Sequence, residues 1–404
     1  MMDPLNRKQF LKLSALASGS IFIPKFLHGL GKSITPLAAE SGKTLIVIQL
    51  SGGNDGLNTF IPFKNDLYYN LRPSLSYQSS AVLKVTSEMA FNPGMGAMQK
   101  IFDQGDMGII NNIGYPNPDH SHFRSMDIWT TASGSDQYFD TGWLGRYLDA
   151  QCNPCEHTHV AIEVDDTLSA ALKGASAKGL AISNPERLYR VTRDPFIRQL
   201  SEGSNASANA TSSRSYLYKT LTETSDSVEY VYDKSKIYKS TVQYPTNKFG
   251  NDLKLIAELI CSGSETKVYY ISLSGFDTHA RQKQVHERLL TTLSEGLYAI
   301  ITDLKKNNQF DQTMIMAFSE FGRRAKQNAS EGTDHGEANN LLLFGGALKQ
   351  KGFINELPDL NDLSQFNLKY GVDFRSVYAT LLSKWLNADD QKIIGSTFEK
   401  MKFI

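Results

Sequence analysis

The sequence predicts an α/β protein with a mostly parallel central sheet and helices on both faces. Two observations predict it. Four short apolar runs, Thr44–Leu50, Met107–Asn112, Lys267–Leu273 and Thr313–Phe318, are each bounded by Gly, Ser or Asn. Their near-continuous apolarity is that of strands buried on both faces, which parallel sheets require. Amphipathic helices separate them, so the strands must connect by crossovers that lay helices against the sheet. At 404 residues the chain is long enough to bury a full core.

In chain order, residues 1–39 read first as a targeting segment. Arg7, Lys8, Lys12, Lys25 and Lys32 stand against Asp3, and an apolar run from Leu13 to Ile23 follows the first cations. That is the order of an export signal, and the run is too short to span a membrane as a helix. Arg7-Lys8-Gln9-Phe10-Leu11-Lys12 resembles a twin-arginine signal, with Lys8 where a second arginine is usual. Leu37-Ala38-Ala39 offers a soft cleavage point, and an uncleaved amphipathic anchor is the competing reading. The expectation is a periplasmic or secreted protein with no stable membrane span in the mature chain.

Residues 40–404 read as one α/β domain with an insertion at about 151–248, inside which the small polar stretch 201–215 reads as a loop. Phe249, Leu253, Ile256 and Ile260 recur at helical spacing, and Gly263 stands where a helix stops. Leu289, Leu293, Leu297, Ile300 and Leu304 form a second stripe, with Glu287, Arg288, Glu295 and Asp303 off it. A last helix is expected from Phe374 to Leu386. Cys152 and Cys155, near His157 and His159, fit a local disulfide, a metal clip or no function at all, and Cys261 fits a core position.

Charge excludes one class of partner. With five basic residues and one acidic residue in the leader, the remainder keeps 37 of the 42 basic and 41 of the 42 acidic side chains. A mildly acidic body without a basic stripe is not a nucleic-acid binder. Several catalytic motifs are absent too. Gly31-Lys32-Ser33 and Gly42-Lys43-Thr44 end like a phosphate-binding loop, but Phe26 and Leu37 stand where its upstream glycine belongs. The chain holds no Gly-x-Ser-x-Gly, His-Glu-x-x-His or Gly-x-Gly-x-x-Gly.

Three runs end in related strings: Ser51-Gly52-Gly53-Asn54-Asp55, Ser274-Gly275-Phe276-Asp277-Thr278-His279 and Ser319-Glu320-Phe321-Gly322-Arg323. Carboxyl ends of parallel strands share one rim, so Asp55, Asp277 and Glu320 are expected to meet there. Crowded carboxylates need a cation or shared protons. Five of the eight histidines, His120, His122, His279, His286 and His335, lie in or beside such strings, and Asp334 precedes His335. Mixed Asp, Glu and His donors suit Zn²⁺, Mn²⁺ or iron, and Mg²⁺ or Ca²⁺ if only oxygens bind. Ser121, before the helical run Phe123 to Thr131, fits a helix cap and equally a nucleophile whose oxyanion the helix start favours. Arg124, Arg146, Arg323 and Arg375 are candidates for clamping an anion and equally for structural ion pairs.

Seven strings resemble the bacterial exported family known as domain of unknown function 1501. They are Gln-Leu-Ser-Gly-Gly-Asn-Asp-Gly-Leu-Asn at 49–58, Ser-His-Phe at 121–123, Thr-Gly-Trp-Leu-Gly-Arg at 141–146, Gly-Phe-Asp-Thr-His at 275–279, Ser-Glu-Phe-Gly-Arg at 319–323, Gly-Thr-Asp-His-Gly at 332–336 and Asp-Phe-Arg-Ser-Val-Tyr at 373–378. The resemblance implies an alkaline-phosphatase-like fold, the clan of phosphatases and sulfatases. It implies metal held by Asp55, Asp277, His279, Glu320 and His335 and a nucleophile at Ser121; Asp334 is a further metal candidate, and His122, Arg124 and Arg323 are candidates beside the nucleophile. Phe321 stands where the clan has histidine, which puts one metal position in question. The implied activity is hydrolysis of phosphate or sulfate esters, with a small anionic ester or a sulfated or phosphorylated glycan as substrate. The alternative is a non-catalytic exported binding or structural protein on the same fold.

Overall fold

Seven of the eight residues of β1, Thr44–Ser51, are buried, because hydrogen-bonded strands flank both its edges and helices cover both its faces. The computed structural model describes residues 42–151, 158–197 and 213–404, with 213–221 described in backbone only. The leader-like residues 1–39, Cys152, Cys155, His157 and residues 201–212 lie outside the described residues. The remaining strands of the main sheet are β2, Met107–Gly114; β3, Ala161–Glu163; β4, Leu180–Ala181; β5, Val268–Ser274; β6, Thr313–Phe318; β7, Asn339–Phe344; β8, Gly352–Phe353; and β9, Val372–Asp373. They lie in the order β8-β2-β7-β6-β1-β5-β3-β4, and β9 also pairs with β2. Every pairing is parallel except those of β7, which runs antiparallel to β2 and β6. The sheet is thus mixed and mostly parallel, as the apolar runs predict.

Alternate residues of each strand build two cores. Ile46, Ile48, Ile271 and Ile315 face one side, where they meet helices α4, Lys248–Cys261, and α5, Gln282–Lys306. Leu45, Val47, Tyr270 and Met314 face the other. There they meet α2, His122–Thr131, α3, Trp143–Gln151, and α6, Phe374–Thr380, while α1, Gly56–Thr59, is a single turn after β1. Trp129 stacks between Phe318 and Phe374 at ring-centroid distances of 4.9 and 4.2 Å, and Trp143 stacks on Tyr378 at 4.1 Å. Stacked pairs of this kind add roughly 0.5–1.5 kcal/mol beyond the area they bury.

The four expected strands are β1, β2, β5 and β6. The longest of the strands the apolar pattern passes over is β7, whose first residues are Asn339 and Asn340. Both are buried, and their amides are satisfied by Asn54 O, Phe321 O and Asn111 Oδ1, so a polar start is tolerated inside the sheet. Asp303, expected off the buried stripe of α5, is itself fully buried. Hydroxyls of Tyr238 and Tyr244 donate to it at 2.7 and 3.0 Å. The polar stretch expected to end at 215 gives way earlier, since Ser213–Ile237 is helical. The last helix passes into a π-helical turn at Leu381–Trp385.

Candidate metal centre

The three central parallel strands end level: Leu50 lies beside Leu273, and Gln49 beside Phe318. Past β1 the chain turns at Gly52, whose φ is +121° and whose missing Cβ would lie 2.3 Å from Asp277 N. Only glycine lets these two strand ends close on each other. The loop carrying Asp334 and His335 folds back on the end of β6, where Arg323 and His335 form an antiparallel bridge. Its Gly332 packs so tightly that a Cβ would meet His279 backbone at 2.1 Å. The first turn of α2 adds His122 from two strands away.

Asp277 Oδ1 is the focus. Arg323 Nη2 lies 2.7 Å from it, His279 Nε2 2.9 Å, and His122 Nε2 and His335 Nε2 3.4 Å each. His279 Nε2 is also 2.9 Å from His335 Nε2. Each imidazole has its other nitrogen at an acceptor: His122 Nδ1 at Glu320 Oε1, 2.8 Å; His335 Nδ1 at the His120 carbonyl, 2.7 Å; and His279 Nδ1 at Asp334 Oδ1, 3.5 Å. A carbonyl can only accept, so His335 carries its proton on Nδ1 and turns the Nε2 lone pair inward. Burial also pushes the His335 pKa below the ordinary value, which keeps the ring neutral. Burial works to raise the Asp277 carboxyl, but the hydrogen bond and charge of Arg323 outweigh it and hold its pKa at about 2. The hydrogen bond to Glu320 raises the pKa of His122.

The inward imidazole nitrogens of His122 and His335 beside a permanent carboxylate are a cation's ligand set, with His279 Nε2 bordering it at 2.9 Å from Asp277 Oδ1. The donor atoms of His122, Asp277 and His335 lie within 4.8 Å of one another. His122 Nε2 is buried and has no hydrogen-bond partner. A buried nitrogen left unpaired costs about 1–3 kcal/mol unless something binds it. The residues present therefore fit a divalent ion.

A sequence profile described as "Protein of unknown function (DUF1501)" matches residues 77–400. The chain belongs to this family. The glycine-rich string at 49–58 lies upstream of the matched stretch. No curated protein matches the DUF1501 chain. Among solved structures it is similar to a protein in the alkaline phosphatase superfamily from Vibrio parahaemolyticus, at 10% identity over 98% of this chain and 78% of that one, TM-score 0.42. It is similar to the PsFucS1 sulfatase from Pseudoalteromonas sp., at 10% identity over 99% and 75%, TM-score 0.40. A phosphonate monoester hydrolase from Silicibacter pomeroyi shares 7% identity over 89% and 78%, TM-score 0.40.

The other expected site residues of the DUF1501 protein have different surroundings. Asp55 is 1% exposed, caps α1 and pairs with Arg72 Nη1 at 2.6 Å, while Gln282 donates to the same carboxylate oxygen. Burial works to raise its pKa, and the charge and hydrogen bond of Arg72, joined by His286 and Gln282, together outweigh it and lower it. Glu320, also 1% exposed, accepts from His122 Nδ1, Gly52 N and Ser319 Oγ. Asp334 reaches His279 Nδ1 and not the focus itself. Ser121 occupies the N-cap of α2, but its exposed hydroxyl makes no capping bond.

The candidate clamps all have partners. Arg323 is fully buried and spends its donors on Gly52, Gly53, Phe276 and Thr333 carbonyls besides Asp277. Arg124 is held by Asp127 and by the carbonyls of Gly134, Ser135 and Gln137. Arg146 bonds Thr131, Thr141 and Ile393 carbonyls, and Arg375 pairs with Asp373 at 2.6 Å. Sequence reasoning passed over Arg72, which no local motif marks, and over the orienting tie between Glu320 and His122.

Proposed function

We propose that this DUF1501 protein is a metal-dependent hydrolase of phosphate or sulfate esters that works outside the cytoplasm. The observation that carries the proposal is the convergence of imidazole nitrogens on Asp277 Oδ1 at a strand-end rim. Asp277, His279 and His335 would hold a divalent ion, which supplies Lewis-acid polarisation of the ester oxygen when bound. The chain's own groups do the rest. The start of α2 presents backbone N–H groups that no side chain caps, a place for an anionic oxygen. Ser121, exposed and without a capping bond at that helix start, would be the nucleophile, and a water is the other nucleophile the reading admits. The substrate class is a small anionic ester or a sulfated or phosphorylated glycan. Support for export comes from the cationic and apolar order of residues 1–39. Among the described residues no helix is long and apolar enough to cross a membrane.

A non-catalytic binding protein is the second reading. It is favoured by Phe321, whose ring packs beside both His122 and His335 at centroid distances of 4.8 and 4.7 Å. Chelator-stripped protein resupplied with Zn²⁺, Mn²⁺, Mg²⁺ or Ca²⁺ and offered an aryl phosphate and an aryl sulfate separates the two. Metal-dependent turnover is expected, lost in Ser121→Ala if the serine attacks and retained if water does. Inert protein with every ion and both esters would leave the binder.

A further inference from the structure

We propose that the centre takes one ion of the zinc type, and that His122, aimed by Glu320, is a ligand to it beside Asp277, His279 and His335. The inference rests on the metal-dependent reading above and fixes the number, the chemical class and the fourth ligand. His122 is set before any ion arrives. Glu320 is immobilised by Gly52 N at 2.8 Å and Ser319 Oγ at 3.2 Å, and it holds His122 Nδ1 at 2.8 Å. A carboxylate behind an imidazole fixes its tautomer and its direction, which is how histidine ligands are presented to metals. The nitrogen that remains, Nε2, is the buried atom without a partner, 3.4 Å from Asp277 Oδ1. Phe321 touches both the His122 and His335 rings, whose centroids stand 4.4 Å apart, and so holds their spacing.

Three imidazoles and one carboxylate oxygen suit Zn²⁺ and Co²⁺. Mg²⁺ and Ca²⁺ require sites made largely of oxygen. Among the described residues a second ion finds no free buried carboxylate beside this centre. The buried carboxylates that flank it are spent, Asp55 on Arg72 and Gln282, and Glu320 on His122, Gly52 and Ser319. Arg72 and Arg323 are buried positive charges fixed in the same region, and they oppose another cation.

Titration of chelator-stripped full-length protein with Co²⁺ and Zn²⁺ alone, read by calorimetry and by the visible Co²⁺ bands, tests this without substrate. One ion per chain is expected, with low-symmetry visible bands and far weaker uptake of Mg²⁺. Glu320→Gln is expected to weaken Co²⁺ binding about tenfold to a hundredfold and shift its bands. His122→Ala, at a half-exposed position, is expected to weaken it further; it guards against a folding defect in the buried Glu320 variant. Two ions per chain, preference for Mg²⁺, no uptake, or an unchanged spectrum and affinity in His122→Ala would each overturn the proposal. One bound ion without ester turnover would leave this inference standing and remove the hydrolase. Turnover with two ions would do the reverse.

Discussion

The ends of β1 and β5 lie side by side and are written alike, serine and glycine leading to an aspartate, yet the two carboxylates have opposite surroundings. Asp55 is 1% exposed and sealed against a buried guanidinium, whereas the Asp277 side chain is 48% exposed and ringed by imidazoles. A third strand end completes the comparison. Glu163 closes β3, 4% exposed, and burial lifts its pKa to about 7, opposed by hydrogen bonding from Ser169 and by no cation. A carboxylate after a strand is therefore a structural anchor, a ligand or a latent acid, according to what the rest of the chain brings to it. Gln282 links the first two regions: it donates to Asp55 and accepts from Thr333 Oγ1 at 2.6 Å, two residues before His335.

The sharpest way to break this comparison is to remove the guanidinium. Arg72→Met leaves Asp55 buried and uncompensated, and urea unfolding is expected to show a loss of about 3–5 kcal/mol. Adding Asp55→Leu should restore most of it. An unaffected single variant would mean that the Asp55 site is not dry.

The next effect belongs to Glu163. Its folded pKa of about 7 stands above the ordinary 4.5, so between those values the folded chain keeps a proton that the unfolded chain has released. Stability is then full below pH 4.5 and falls as pH rises to 7, by about 3 kcal/mol. Glu163→Gln should abolish this component, so the variant's stability relative to the parent should rise across that window. A constant difference between the two across the window would contradict it.

The smallest change in stability is expected at the wet end. His279 is 46% exposed, and His279→Ala should alter unfolding free energy by less than about 1 kcal/mol. Cobalt affinity should nevertheless fall by more than about a hundredfold, beyond the usual cost of losing an outer-shell partner. Equal damage to stability and metal uptake would erase the distinction between the two strand ends.

Sequence alone determined the layered α/β architecture and four of its strands, because burial on two faces forces a run of apolar residues that can be read locally. It also named Asp277, His279 and His335, which the fold brings together because the carboxyl ends of parallel strands share one rim. It did not find β7, where two buried asparagines interrupt the apolar run and are satisfied by partners remote in sequence. Nor could it separate Asp55 from Asp277. Only the folded chain decides that Arg72 and Gln282 reach the first, that Glu320 turns toward His122, and that Arg323 is walled in by carbonyls. Those outcomes depend on desolvation and on pairings across up to 271 residues of chain, and neither is encoded in local spacing.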